Sequence, residues 1–357
     1  PGATMNIYGG TFNGGELGYA TTKRGGNIDV QGTGVLNIGA KIGDKVIWGG
    51  TLTLSENGTL FSEDGGLITN SGIVNIYDGL LTGGVAQAKD SDGASGGAIN
   101  SSGTINMYGG EISNNTAIGA FVNDAGELKS YTGGGGNIGT GSASSGTLLI
   151  QDAIIRNGTA GTSYGGNIRI RSGLKQLTIT GTSQILGGTA RAGGSMYIDG
   201  AAANVTIGGN ALVTAGDVGT SGNGPCIYTG TKANLTITDN AVIDGTEGVG
   251  KRGGAIYCYN NDTVITIDGD AKLIGASSAT TTHGKVAYLR GNVTIGGNVT
   301  MTAEGSTSYG TLYFYTGDLI LKDNVQLDAS AVTATNGSAI YSYQATANIY
   351  VQDYAVI

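Results

Sequence analysis

The sequence predicts an all-β chain: a right-handed, single-stranded parallel β-helix with three strands per coil and about twelve coils. Two observations carry that expectation, and composition supplies a third. A phrase opening on a glycine pair recurs along the whole chain: "GGNIDV" (25), "GGLITN" (65), "GGAINS" (96), "GGNIGT" (135), "GGNIRI" (165), "GGSMYI" (193), "GPCIYT" (224), "GGAIYC" (253), "GKVAYL" (284), "YGTLYF" (309) and "GSAIYS" (337). A second phrase with strict alternation follows each later copy: "NVTIGGNALV" (204), "NLTITDNAVI" (234), "VITIDGDAKL" (264), "NVTIGGNVTM" (292) and "DLILKDNVQL" (318). The chain of 357 residues holds 69 Gly and 2 Pro. Glycine is costly inside a helix, collagen would need far more proline and a glycine at every third position, and a flexible linker would lack the regular Ile, Val and Leu.

Each element of a coil follows from these phrases. The Ile after the glycine pair (Ile28, Ile68, Ile99, Ile138, Ile168, Ile227, Ile256, Ile340) forms one inner stack, and the glycines let the backbone bend into it. In the second strand, alternation turns Val205 and Ile207, Leu235 and Ile237, Ile265 and Ile267, Val293 and Ile295 inward, with Thr206, Thr236, Thr266 and Thr294 outward. After a short turn, Val213, Ile243, Leu273, Met301 and Leu327 point inward again as the third strand. Between residues 25 and 65, "DKVIWG" reads as one more turn, which would make two short units there. The turn position holds Asn210, Asn240, Asn298 and Asn324, with Asp270 in the remaining coil. Asn and Asp tolerate left-handed backbone, so these residues are expected to occupy it and to form a buried coil-to-coil amide stack.

Such a stack resembles the internal asparagine ladder of pectate-lyase-like right-handed parallel β-helices. "GGAIN" and "GGEISNNTA" are similar to the repeats of bacterial cell-surface and adhesin β-helix proteins. The resemblance covers almost the whole chain and implies a single β-helix over residues 1–357. It opens in mid-coil at "TMNIYGGTF" and closes on "YAVI" without a polar cap, so the reading is a segment of a longer chain or of a fibre. Function is less specific, because enzymes and adhesins share this scaffold. The expectation is a structural and binding segment of an extracellular bacterial surface protein, an adhesin, stalk or fibre subunit. The alternative is a polysaccharide lyase or glycoside hydrolase acting on an extended glycan.

Charge and composition narrow the partners. With 18 Lys and Arg against 26 Asp and Glu, net charge −8, there is no basic stripe for nucleic acid and no apolar run long enough for membrane insertion. Glycan or protein surfaces, including self-association into a fibre, remain. No cofactor or metal is expected: Cys226 and Cys258 read as buried thiols and His283 as a loop residue. Asp90, Asp92, Asp124 and Glu127 sit in long irregular segments without calcium-loop spacing and read as solvated loops. The outward positions of the first strand (Asp29, Thr69, Asn100, Gly139, Arg169) hold no stacked carboxylates, and Arg171 with Asp199 reads as a surface ion pair. The threonine file suggests an ice-binding face, but the neighbouring file (Thr180, Gly208, Thr238, Asp268, Gly296) is broken.

One outward file stands apart. Tyr197, Tyr228, Tyr257, Tyr288, Tyr313 and Tyr341 occupy one position in six consecutive coils, with Tyr259, Tyr315 and Tyr343 as part of a second file. They read either as a stacking device or as the ligand-binding strip, a row of exposed aromatic faces for sugar rings or another protein.

Overall fold

The computed structural model describes residues 2–14, 26–54, 64–87, 94–122, 127–130, 133–141, 145–199 and 203–357. Among them, three long parallel sheets run the length of a β-solenoid, and no helix occurs. Sheet 1 collects 11 strands that follow the glycine pairs, from Ile28–Val30 to Ile340–Ser342; sheet 2 has 12, from Thr4–Ile7 to Ala347–Val351; sheet 3 has 11, from Thr11–Gly14 to Gln326–Asn336. Each coil contributes one strand to each sheet, and equivalent residues pair in register: Ile227 with Ile256, Leu235 with Ile265, Ile243 with Leu273. At a strand spacing of about 4.8 Å, 12 strands make a rod of roughly 50 Å.

The interior is one continuous column of apolar side chains. Alternation places them correctly, because the inward residues of all three strands (Ile256, Ile265, Ile267, Leu273 in one coil) are buried while the threonines between them are not. The first glycine of each pair turns the corner into sheet 1. At Gly253 φ is +60°, and a Cβ there would collide with the Ile256 carbonyl, so the corner needs glycine on both counts.

Two expectations about turns are corrected. "DKVIWG" is not a coil: Lys45–Ile47 pairs antiparallel with Ala40–Ile42, forming a hairpin that projects from a single coil, with Gly43 at φ +59° in its turn. The short alternating run reads alike for a coil strand and a hairpin arm. The left-handed residue between sheets 2 and 3 is also one position earlier than expected, at Gly209, Asp239, Gly269, Gly297 and Asp323.

The asparagines behind those residues hydrogen-bond from coil to coil, but on the outside of the rod. Asn240 Nδ2 donates to Asn210 Oδ1 at 3.1 Å, Asn298 Nδ2 to Asp270 Oδ1 at 2.8 Å, and Asn324 Nδ2 to Asn298 Oδ1 at 2.9 Å, all exposed. The expected burial of this stack is therefore wrong. The apolar residue that follows each of them (Ala211, Ala241, Ala271, Val299, Val325) takes the inward place.

A buried ladder does exist, at another corner. Asn115, Asn137 and Asn167 are fully buried, with Asn115 Nδ2 donating to Asn137 Oδ1 and Asn137 Nδ2 to Asn167 Oδ1, each at 2.8 Å. Their remaining groups meet backbone: Asn137 Nδ2 also donates to the Arg156 carbonyl at 2.9 Å, and Asn167 Oδ1 accepts from Gly158 N at 2.8 Å. In the next coils the same place holds Ser195, whose hydroxyl donates to the Thr214 carbonyl at 2.5 Å, and Cys226, whose thiol donates to the Asp244 carbonyl at 3.1 Å. Both cysteines are free and buried, and burial pushes the Cys226 thiol well above its ordinary value.

Candidate binding site: the tyrosine and arginine face of sheet 1

Outward on sheet 1, the register runs Gly139, Arg169, Tyr197, Tyr228, Tyr257, Tyr288, Tyr313, Tyr341. Parallel in-register pairing fixes the ring spacing near the strand spacing, so the rings stack. Centroid separations are 4.6 Å (Tyr197 to Tyr228), 4.7 Å (Tyr228 to Tyr257), 4.8 Å (Tyr257 to Tyr288), 4.7 Å (Tyr288 to Tyr313) and 5.2 Å (Tyr313 to Tyr341). Tyr164 extends the file at 4.5 Å from Tyr197.

This geometry corrects the picture of open aromatic faces. The file does point away from the core, yet Tyr197, Tyr257, Tyr288 and Tyr313 are buried, Tyr257 to 1% exposure, and only Tyr228 and Tyr341 are part-exposed. Alternation distinguishes in from out; it carries no information on what flanks an outward residue. Here each ring is covered by its neighbours in the stack, and His283 and Tyr309 pack on one flank, 5.2 and 5.8 Å from the Tyr313 ring. Burial raises the phenol of Tyr257 to about 12, with the Arg252 side chain at its hydroxyl opposing part of the shift. Tyr197, Tyr228, Tyr288 and Tyr313 shift upward for the same first cause.

The exposed aromatic surface belongs to the second file. Two residues along from the buried rings stand Arg171, Asp199, Gly230, Tyr259, Arg290, Tyr315 and Tyr343, with Tyr259 51% and Tyr343 54% exposed. Arg290 lies between two of these rings, its guanidinium carbon 3.8 Å from the Tyr315 centroid and 4.8 Å from that of Tyr259. Tyr315 and Tyr343 stack at 5.0 Å. A guanidinium over aromatic faces contributes about 0.5–2 kcal/mol, depending on how dry the contact is.

Arg169 closes the tyrosine file at its start. It is buried, lies 5.3 and 5.8 Å from the Tyr164 and Tyr197 rings, donates to the Gly133 carbonyl and pairs with Asp199 at 3.2 Å. Arg171 and Asp199 do share a register position, but the recorded ion pair is the diagonal one from Arg169, not the surface pair expected. The diagonal contact lets one carboxylate neutralise the buried cation.

The remaining candidates fare differently. Asp90, Asp92 and Asp124 lie outside the described residues; Glu127 is exposed. Thr178, Thr206, Thr236, Thr266 and Thr294 form one in-register outward file, bounded by Leu149 and Ile320. A shallow groove floored by Gly187, Gly188 and Gly216 carries Asp217 and Glu247 at its rim, and the Asp217 carboxylate accepts from Gly219 N at 2.8 Å. No group of three or more potential metal ligands occurs among the described residues. No protein-family model, curated protein or solved structure matches the chain.

Proposed function

We propose that this chain is a structural and binding rod, a segment of an extracellular bacterial surface protein that presents the aromatic and cationic face of sheet 1 to a glycan or protein partner. The observation that carries this reading is the in-register file from Arg169 to Tyr341, on which the second file holds the rings of Tyr259, Tyr315 and Tyr343 and the Arg290 guanidinium. Preorganised side chains lose little entropy on binding, and repeated weak contacts along one rigid body add. Tyrosine and arginine are the residue types enriched at such surfaces. The likeness of the Gly-Gly-Ala-Ile repeats to those of bacterial surface proteins supports a location outside the cell.

The buried file (Tyr197, Tyr228, Tyr257, Tyr288, Tyr313, Tyr341) then serves as the platform, and partners meet Tyr259, Arg290, Tyr315 and Tyr343. Replacing Tyr259 and Tyr343 together by Ser leaves the stack beneath intact. Binding on a glycan array, or self-association followed by sedimentation, should fall at least about fivefold with an unchanged β-type circular dichroism spectrum. Unchanged binding by a folded double variant would remove this face from consideration.

A further inference from the structure

Around Tyr257 and Tyr288 the face is more than aromatic. The two rings are adjacent in the stack, 4.8 Å apart. The Arg290 guanidinium donates from Nη2 to the Tyr288 hydroxyl at 2.9 Å, and its carbon is 5.5 Å from the Tyr288 centroid. Arg252 approaches the same ring to 5.8 Å from the preceding corner. Both arginines are part-exposed, and neither pairs with a carboxylate among the described residues. The buried Nε of each has no hydrogen-bond partner among the described residues. That is unusual in a chain with eight more acidic than basic groups (26 − 18 = 8), where an arginine has acids to choose from. Lys251 and His283 lie alongside Arg252, whose charge, with that of Lys251, adds to burial in depressing the imidazole.

The cluster is composed of donors. The Tyr288 hydroxyl accepts from Arg290 and the Arg252 side chain lies at the Tyr257 hydroxyl, so the buried phenols fix the two guanidiniums whose other N–H groups donate. The phenols are neutral at physiological pH, since burial raises both. A planar carboxylate is satisfied by one guanidinium fork. Two guanidiniums from adjacent coils instead suit a tetrahedral oxyanion, whose oxygens diverge.

We propose that the part-exposed guanidiniums of Arg252 and Arg290, held in place by the buried hydroxyls of Tyr257 and Tyr288, form an oxyanion site for a sulfate or phosphate group carried on an extended polymer lying along sheet 1. It rests on the reading of this face as a binding surface and names the group that the face selects. The exposed ring of Tyr259 and the part-exposed ring of Tyr315 would flank the polymer backbone.

The test uses the whole chain and calorimetry with three probes: dextran sulfate, a glycerol-phosphate polymer and neutral dextran. Dextran sulfate or the glycerol-phosphate polymer should bind and neutral dextran should not; which of the two binds more tightly identifies the source of the oxyanion. The R252Q/R290Q double variant should lose at least about tenfold in affinity, and Y257F/Y288F, which keeps both rings stacked, should lose about threefold or more. K272Q, which removes one exposed charge from sheet 3, should bind as the parent does. The proposal is overturned if the double variant binds equally well, if K272Q loses as much as it does, or if no sulfated or phosphorylated probe binds. Neutral dextran bound equally by parent and double variant would likewise overturn it, while leaving the broader reading of the face in place.

Discussion

In the coils up to Asn167, neighbouring turns are tied by amides; from Arg169 onward, the outside of sheet 1 is tied by rings. The N-terminal amides work on both sides of the wall. Inside is the ladder of Asn115, Asn137 and Asn167. Outside on sheet 2, Asn37 donates to Asn6 at 2.7 Å, Asn75 to Asn37 at 2.8 Å and Asn106 to Asn75 at 2.9 Å. In the later coils that sheet 2 position becomes the threonine file, the inner corner passes from Ser195 and Cys226 to the apolar Ala255 and Val286, and the sheet 1 position that held Asp29, Thr69, Asn100 and Gly139 holds tyrosine. The backbone is the same coil throughout. One register therefore accepts two adhesives: amide chains, which are directional and satisfied within the wall, and stacked rings, which leave edges and a second row of side chains for the solvent side.

The largest expected effects come from cutting each adhesive at its middle. Tyr288→Ala removes a buried ring stacked on both faces and should cost about 3 kcal/mol. Asn137→Leu strands the Asn115 and Asn167 groups and the Arg156 carbonyl, and should cost on the order of 2 to 4 kcal/mol. Asn240→Leu, in the exposed ladder, should cost under about 1 kcal/mol. Urea unfolding measures all three. If Asn240→Leu proved as damaging as Asn137→Leu, burial would not be what separates the two ladders.

Those ladders also show where the sequence was legible. The inward Ile, Val and Leu of all three strands follow from alternation, since a period of two fixes which side of a wall each residue faces. The exposed Asn210, Asn240, Asn298 and Asn324 sit at an obvious repeat position, yet Gly, Asn and Asp all signal left-handed backbone, so two adjacent candidates could not be told apart. Asn115 lies in an irregular segment without periodicity, and nothing local announces that it meets Asn137. The burial of the tyrosines depends on side chains from other corners, His283, Tyr309 and Arg252, whose convergence is set by the coil's lateral geometry. The donor cluster around Tyr288 was invisible for the same reason.

Alkali should separate the two adhesives. Amides do not titrate, whereas the buried phenols have folded-state values above the unfolded value of 10, Tyr257 near 12. A folded state that holds its protons more tightly is stable below the unfolded value and loses that advantage as pH rises through the folded one. Melting temperature should therefore hold up to about pH 10 and fall above it, with tyrosinate absorbance appearing together with unfolding. Hydrogen exchange at pH 11 should show the coils after Arg169 opening before those carrying the asparagine ladder. Loss of protection in the reverse order would break the division between the halves.

The smallest effect is on the acid side and belongs to the tyrosine half alone. The His283 ring packs 4.6 Å from Tyr309 and 5.2 Å from Tyr313, and Thr282 Oγ1 lies 2.8 Å from its Nδ1. Burial, with the charges of Arg252 and Lys251, lowers the imidazole from 6.5 to about 4. The unfolded chain thus takes up a proton that the folded chain refuses between those values. Stability is full above pH 6.5 and declines as pH falls toward 4, below which this group adds no further slope. His283 is only about half buried, so solvent screening makes the decline modest. His283→Phe keeps an aromatic ring against Tyr309 and Tyr313 and removes the titration. Its melting temperature should change less between pH 7 and pH 4.5 than that of the parent, by a few degrees at most. Equal slopes in parent and variant would show that the acid response comes from carboxylates elsewhere on the rod and that His283 does not sense the arginine beside it.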